Sequence, residues 1–346
     1  MHSPEPQSRF LRACRGLPVD TTPVWFMRQA GRYQPEYRAL RQRYSILDLI
    51  RDPALAAEVT CLAVEQLEVD AAILFSDIVV PLMAMGAPVT LEEGRGPVVR
   101  PPFRSREDLE RLAPLEPERQ LPEVAEAVRL AVRRLHGIPL IGFAGAPFTL
   151  ASYLIEGGHS ALYLETKRLM WGEPDLWAAL MARLVQATVA HLAAQIEAGA
   201  AAVQVFDSWV GALAPADYRR AVLPYMRRIF DALAMYEVPR IYFGVGTATL
   251  LEAMAEAGAD VVGVDWRIPL DEARRRLGDR AVQGNLDPAA LLAPWPVLTD
   301  QAQAVLTANG GQPGHIFNLG HGVLPATNPG RLHDLVRWVH ERGAGQ

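Results

Sequence analysis

The chain has 346 residues, of which 50% are hydrophobic and 21% are charged, an ordinary composition for a globular protein of one large or two small domains. Its net charge of −5 argues against a general nucleic-acid binder, which needs a basic excess. No uninterrupted apolar run approaches the ~18 residues of a membrane span, and the opening MHSPEPQSRF is not a basic-then-apolar secretory signal. The only cysteines, Cys14 and Cys61, form neither a disulfide framework nor a zinc spacing, so a reducing cytoplasm is expected. Taken together, these features predict a cytoplasmic protein with no membrane or nucleic-acid partner.

Short apolar, β-prone runs recur along the chain with helical stretches between them. These runs predict eight strands, at 24–27, 71–75, 138–143, 201–206, 240–243, 260–264, 281–285 and 315–319. Helices are predicted after Asp52-Pro53, over 122–135, 175–198, 248–257 and 270–277, and after Asn328-Pro329. A further helix from about residue 215 contains Pro224, where we expect a break. Residues 78–120 interrupt the alternation, and the runs 88–91 and 96–99 predict a hairpin there.

The predicted strands are mostly apolar throughout, as expected for strands that are buried on both faces of a parallel α/β sheet. Eight is the number of strands that closes a (β/α)8 barrel, and its typical size of ~250 residues leaves room for additions. We therefore predict a single-domain TIM barrel over 1–346, with a core of about 8–342, an N-terminal extension and a hairpin excursion after strand 2. A doubly wound open sheet is the alternative, weakened because no Gly-x-Gly-x-x-Gly follows the first strand.

The first predicted strand leads into an arginine-rich loop, within the stretch VWFMRQAGRYQPEYR. Arg28 and Arg32 lie four residues apart, and Gly31 between them allows a sharp turn with positive φ. Arginine is strongly enriched over residues 28–43, where Glu36 is the only acid, although the whole chain is acidic. Because the guanidinium fork matches carboxylate or phosphate oxygens, this loop predicts an anion-binding site. A solvated basic loop is the alternative interpretation.

Other polar residues follow the predicted strands, where the chemistry of a barrel takes place. Asp77 and Ser208 are candidates, with a helix N-cap and a turn as their respective structural alternatives. His321 lies between two glycines, so we expect it to be exposed and to have a pKa near physiological pH. Tyr153, beyond the third strand, is a candidate that could equally be a core residue, and Asp265 is interpreted as structural. No metal-ligand spacing is present, so we expect a metal-free, cationic site with one central carboxylate.

Six motifs resemble the uroporphyrinogen decarboxylase family: MRQAGRYQPEYR, FSDI, GFAGAPFTLASYLIEG, FDSW, GNLDP and NLGHGVLP. The resemblance covers residues from about 8 to 342. It implies a (β/α)8 barrel, usually a homodimer, that uses no cofactor. It also implies the stepwise decarboxylation of the four acetate side chains of uroporphyrinogen III, which gives coproporphyrinogen III in haem and chlorophyll biosynthesis.

The resemblance also implies roles for individual residues. Arg28 and Arg32 resemble the arginines that bind substrate carboxylates, and Gln29, Ala30 and Gly31 complete that loop. Asp77 resembles the carboxylate that receives the pyrrole N–H groups. The other substrate contacts are the polar residues Tyr153, Ser208 and His321 and the pocket walls Phe143 and Phe206. An ionised Asp77 would stabilise the cation that forms when the pyrrole is protonated. His321 and a bound water remain the candidates for the proton donor.

Two other classes of protein are compatible with parts of this pattern. A corrinoid-dependent methyltransferase can share the barrel, but we would expect zinc-binding His and Cys residues on its late strands, and both cysteines here precede residue 62. A non-catalytic tetrapyrrole carrier would keep the arginines but would not need Asp77.

Overall fold

The computed structural model describes residues 8–92 and 94–343. Residues 1–7 of the predicted N-terminal extension, with most of the segment that argued against a secretory signal, lie outside the described residues, as does Glu93 in the turn of the predicted hairpin.

The described residues form one parallel sheet and one antiparallel hairpin. The parallel sheet has seven strands in the order β1-β4-β5-β6-β7-β8-β9, and the hairpin pairs β2 with β3. The strands are β1 (Ala72–Ile73), β2 (Val89–Glu92), β3 (Gly96–Val99), β4 (Leu140–Gly145), β5 (Ala202–Asp207), β6 (Arg240–Gly244), β7 (Val261–Gly263), β8 (Ala281–Gln283) and β9 (His315–Ile316).

Helices connect the strands, as expected for an α/β fold with parallel strands. They are α1 (Arg9–Cys14), α2 (Pro35–Arg43), α3 (Ile46–Arg51), α4 (Pro53–Leu67), α5 (Val80–Ala84), α6 (Arg106–Arg111), α7 (Pro117–Gln120), α8 (Pro122–Arg134), α9 (Pro147–Glu156), α10 (Leu164–Gly172), α11 (Pro174–Glu197), α12 (Pro215–Ala221), α13 (Leu223–Leu233), α14 (Leu251–Ala255), α15 (Leu270–Leu277), α16 (Trp295–Asn309) and α17 (Pro329–Gly343). Short 3-10 helices occupy Val210–Ala212, Ala234–Tyr236 and Pro288–Leu292.

Local sequence signals placed several of these elements correctly. The Asp52 carboxylate accepts hydrogen bonds from the backbone N–H groups of Ala54 and Leu55, so it caps α4 as predicted. The predicted break near Pro224 is confirmed, because α12 ends at Ala221 and α13 begins at Leu223. The hairpin is also confirmed by the pairing of β2 with β3.

The first predicted strand, 24–27, is not a named strand. Val24 forms an isolated parallel bridge with Phe317 beyond the end of β9. On its other side, the backbone N–H of Asp70 donates to the Val24 carbonyl at 2.8 Å. The ladder ends there because side-chain amides take over the next backbone donors. The N–H of Phe26 donates to Gln29 Oε1, at 3.0 Å.

A chain of buried side chains shows that the sheet is curled. Trp25 Nε1 donates to Gln283 Oε1, and Gln283 Nε2 donates to Gln204 Oε1, each at 3.0 Å. Gln204 belongs to β5 and Gln283 to β8, which are separated by β6 and β7 in the sheet. Strands that are not neighbours can share a side-chain hydrogen bond only if the sheet bends its inner face around them.

Helix α11 is long and apolar enough to cross a membrane by length and composition alone, although 56% of its most apolar window is buried inside the protein. Gln195 joins this helix to the sheet, because its Oε1 accepts from the Phe143 N–H at 2.8 Å and its Nε2 donates to the Phe143 carbonyl at 3.0 Å. Burial and these hydrogen bonds identify α11 as a helix that packs on strand β4.

Candidate active site

The arginine loop begins where residues 24–27 meet the segment after β9. Asn318 Oδ1 accepts from the Met27 N–H at 3.1 Å, and the Val323 N–H donates to the Met27 carbonyl at 2.9 Å. The chain then turns at Arg28, whose φ of 61° is in the left-handed region. The two hydrogen bonds to Met27 stabilise this unusual backbone. The chain also turns at Gly31, as predicted, because the Gln34 N–H donates to the Gly31 carbonyl at 3.0 Å, but Gly31 does not have a positive φ.

Arg28 and Arg32 are both exposed, and neither side chain has a hydrogen bond or an ion pair with any residue in 8–92 or 94–343. The Arg28 side chain lies directly over Gly322, where a Cβ atom would collide with Arg28 Cγ and Cδ. Arg32 instead acts on Tyr37, whose pKa is raised by burial and lowered by Arg41 and Arg32. Two guanidinium groups are thus available to an anion, with Arg28 nearer to the segment after β9.

The rest of the loop differs from a simple ligand-contacting stretch. Gln29 is fully buried, and its Nε2 donates to the Ala71 carbonyl at 3.1 Å. Its backbone carbonyl accepts from the Tyr33 hydroxyl at 2.6 Å. Gln29 therefore holds the loop against the start of β1, and its side chain is not available to a ligand. Ala30 and Gly31 are partly exposed beside it.

Asp77 follows β1 and forms a tight local turn, because its Oδ1 accepts from the Val79 N–H at 3.0 Å. The N-cap of the next helix, α5, is Val79, so the alternative interpretation of Asp77 as that N-cap is wrong. Oδ2 has no hydrogen-bond partner among the described residues. Burial raises the pKa of the Asp77 carboxyl, while the Val79 N–H and Arg28 act in the opposite direction.

Tyr153 lies close enough to Asp77 and Arg28 for both charges to shift its pKa. Burial and Asp77 raise its pKa to about 12, and Arg28 opposes this shift. Its ring stacks on Trp209 with centroids 4.0 Å apart. Ser208, next to Trp209, is partly exposed at the end of β5, and its hydroxyl has no hydrogen-bond partner within the described part of the chain.

The predicted pocket walls contact each other. Phe143 on β4 and Phe206 on β5 form an edge-to-face pair with centroids 5.5 Å apart, and Phe206 contacts Phe243 on β6 at 6.0 Å. Three neighbouring strands thus present one continuous aromatic surface.

The environment of His321 differs from the prediction. The residue is only partly exposed, and burial lowers its pKa to about 4, with Arg28 and Arg267 acting in the same direction and Asp265 opposing them. The expectation of an exposed histidine that titrates near physiological pH is therefore wrong. Its Nδ1 accepts from the Gly322 N–H at 2.7 Å, so the neutral ring carries its proton on Nε2. That N–H can donate to a carboxylate.

A buried hydrogen-bond network under the site was missed. Asp207 is fully buried at the end of β5, and it accepts hydrogen bonds from Thr149 Oγ1 at 2.7 Å and from the Tyr242 hydroxyl at 2.8 Å. Burial raises its pKa to about 6, against the effect of these two donors. Thr149 in turn accepts from the Trp209 N–H at 3.3 Å, so the network supports the stacked pair described above. The sequence did indicate Asp207, because it is a polar residue at the end of a strand and directly precedes Ser208.

Asp265 follows β7 and is structural, as interpreted from the sequence. It is 1% exposed, and it accepts from the Gly246 N–H at 2.6 Å and the Arg267 N–H at 3.1 Å. The Arg267 guanidinium also forms an ion pair with it. Arg267 was not selected from the sequence, although it too follows a strand end.

No group of three or more His, Cys, Asp or Glu residues within the described ranges could hold a metal ion. Two clefts, of about 190 and 490 Å³, lie at the amino ends of the last strands and contain none of the site residues.

The fold and the positions of these residues define an α/β enzyme whose polar groups gather at the carboxyl ends of parallel strands. The family model for uroporphyrinogen decarboxylase (URO-D) matches residues 5–342. A uroporphyrinogen decarboxylase from Streptomyces griseus is 59% identical over 97% of this chain and 92% of its own length. One from Thermus thermophilus is 54% identical over 96% of this chain and 98% of its own length. The chain belongs to the uroporphyrinogen decarboxylase family.

Solved structures support the fold. A methyltransferase from Methanosarcina mazei has a TM-score of 0.79 and covers 97% of this chain and 99% of its own, at 21% sequence identity. At 21% identity the likeness concerns the fold alone. The methyltransferase alternative is not favoured, because the identity to the decarboxylases is much higher.

Proposed function

We propose that this chain decarboxylates uroporphyrinogen III in steps, converting its four acetate side chains to methyl groups and giving coproporphyrinogen III in tetrapyrrole biosynthesis. The observation that carries the proposal is the family match over residues 5–342, with relatives of that name at 54–59% identity. The geometry supports the same chemistry, because free guanidinium groups on an acidic chain suit a polycarboxylate substrate.

Asp77 is the proposed catalytic carboxylate. Its free Oδ2 accepts the pyrrole N–H groups, and a proton added to a ring carbon then makes the pyrrole cationic. Loss of CO2 sends the C–C bonding electrons into that cation, a second proton converts the exocyclic methylene to a methyl group, and the ring loses the first proton. Burial leaves the ionised form of Asp77 poorly solvated, which raises its pKa. That ionised form therefore gains strongly from an adjacent positive charge.

Arg28 and Arg32 bind carboxylates of the substrate, and Ala30 and Gly31 approach it by their backbone. His321 is neutral at pH 7, because its pKa is about 4, so it binds a carboxylate through Nε2–H and a bound water is left as the proton donor. Gln29 contributes by holding the loop. Tyr153 and Ser208 offer hydroxyl groups, and Phe143 and Phe206 form the wall against which the macrocycle packs.

We further propose that residues 24–27 complete a closed, single-domain (β/α)8 barrel. The bridge of Val24 to Phe317 and the hydrogen bond from Asp70 to Val24 support closure between β9 and β1. The hydrogen bonds that link Trp25 to Gln283, and Gln283 to Gln204, support it from inside.

A homodimer in the cytoplasm is the proposed state of the protein. Leu162 and Leu164 are each 63% exposed and Trp171 is 54% exposed, and Leu164 and Trp171 share one face of α10 because they are seven residues apart. Tyr163, within this apolar patch, contacts Trp209 at 5.2 Å, so a second subunit would cover the surface next to the site. Light scattering at micromolar concentration should give twice the mass of the chain, and a monomeric mass would count against the dimer.

The activity is tested by anaerobic incubation with uroporphyrinogen III and separation of the products by carboxyl number. We expect intermediates of decreasing carboxyl number and then coproporphyrinogen III. A non-catalytic carrier would bind the substrate and release it unchanged, and a methyltransferase would leave its carboxyl groups intact.

A further inference from the structure

We propose that Arg267 is a further substrate-binding residue, which binds a carboxylate of the tetrapyrrole at the rim of the site beyond His321. The inference rests on the proposed function and adds a second cationic contact to the one made by the arginine loop.

The first support is the position of the loop that carries Arg267. Gly320 is packed so closely against this loop that a Cβ atom there would collide with the Trp266 backbone nitrogen. Asn285 holds the loop from the end of β8, because its Nδ2 donates to the carbonyls of Asp265 at 2.9 Å and Ile268 at 2.8 Å. The loop is therefore fixed beside His321, at the same edge of the sheet as the other site residues.

The second support is the way in which the guanidinium of Arg267 is held. One nitrogen forms an ion pair with the buried Asp265 carboxylate, and the guanidinium carbon lies 4.0 Å from the centroid of the Trp266 ring. Stacking fixes the plane of the group, and the ion pair fixes its direction. The side chain is nevertheless 48% exposed. A guanidinium has five N–H donors, and Nε and NH2 have no partner in the described part of the chain, so donors remain for a ligand.

The third support is electrostatic. Arg28 and Arg267 both lower the pKa of His321, so both cations lie near this histidine. Arg28 also acts on Asp77, whereas Arg267 is not among the groups that shift the pKa of Asp77. In the proposed arrangement Arg267 is therefore farther than Arg28 from Asp77, and so from the reacting pyrrole. A carboxylate bound there is equally well bound before and during the reaction, so it contributes to affinity rather than to turnover.

A competing account is that Arg267 only neutralises the buried Asp265. That account predicts a loss of stability without a loss of substrate affinity when the charge is removed. The two accounts therefore differ in KM, in affinity for the product and in thermal stability.

The test uses Arg267→Gln and Arg267→Lys in the full chain, with Arg133→Gln as the matched control. Arg133 is 62% exposed near the end of α8, at the amino edge of the sheet, and removing it changes the net charge equally. We would measure kcat and KM for uroporphyrinogen III, the Kd for coproporphyrinogen III by anaerobic calorimetry, and the melting temperature.

Arg267→Gln should raise KM and Kd about tenfold with kcat within about twofold, and the effect should shrink at about 0.5 M salt because the half-exposed charge is screened. Arg267→Lys should recover part of the affinity, since it keeps the charge and loses the fork. Arg133→Gln should match the wild type. A KM and Kd within about twofold of that control would overturn the proposal, whatever the melting temperature.

The outcome stays readable if the proposed function fails. If the wild type does not decarboxylate its substrate but binds coproporphyrinogen III, the Kd values alone decide the role of Arg267. If the wild type binds neither compound, the proposal for Arg267 falls with the function.

Discussion

The buried carboxylate of Asp207 should make the stability of the protein depend on pH in a specific direction. Burial raises its pKa from 3.8 to about 6 in the folded chain. The folded state therefore binds a proton more tightly than the unfolded state, so the favourable contribution is complete below about pH 4 and is lost as pH rises through 6. Two pKa units correspond to about 3 kcal/mol in the free energy of unfolding, of which roughly 1.4 kcal/mol falls between pH 5 and pH 8.

Asp207→Asn removes this titration while it keeps the shape of the side chain. Its free energy of unfolding in urea should rise, relative to that of the wild type, by about 1.4 kcal/mol from pH 5 to pH 8. Asp231→Asn, an exposed position on α13, is the control and should leave the pH dependence unchanged. A difference between wild type and Asp207→Asn that stays constant within about 0.3 kcal/mol across this range would refute the argument from burial.

Further predictions concern the arginine loop and the chemistry. Arg32→Ala should raise KM and lower turnover, because the guanidinium both binds and orients carboxylates; steady-state kinetics unchanged in a folded variant would remove Arg32 from the site. Gly322→Ala should displace the Arg28 side chain and raise KM several-fold, because its Cβ would occupy the place of Arg28 Cγ and Cδ. Gly172→Ala, with open space around its Cβ position, is the matched control, and equal kinetics in both variants would contradict the packing. Activity should survive exhaustive chelation, and loss with EDTA that zinc restores would overturn the metal-free proposal.

The features predicted correctly from the sequence are those set by local chemistry. Asp52 caps its helix because an aspartate before proline does so in most surroundings, and Pro224 interrupts a helix because it lacks a donor. The apolar runs also placed Asp77 and Ser208 correctly beyond the ends of β1 and β5, and their part in the site stays a prediction.

The features that the sequence did not predict depend on residues from distant segments. The low pKa of His321 arises from burial and from Arg28 and Arg267, which no local pattern brings together. The strand at 24–27 shortens to one bridge because Gln29 and Asn318 supply acceptors from their side chains. Gln29 is fully buried because its side chain makes these contacts, whereas Arg28 is exposed and Ala30 is partly exposed.

The central claim is that the charge of Asp77 stabilises the protonated pyrrole. Asp77→Asn keeps the side-chain oxygen that accepts from the Val79 N–H and removes the charge. Asp52→Asn is the control, because Asp52 makes a similar local turn on an exposed helix end. Single-turnover decarboxylation should slow by at least ~10²-fold in Asp77→Asn, with product affinity and melting temperature near those of the wild type. A single-turnover rate within a few-fold of the wild type would contradict the mechanism.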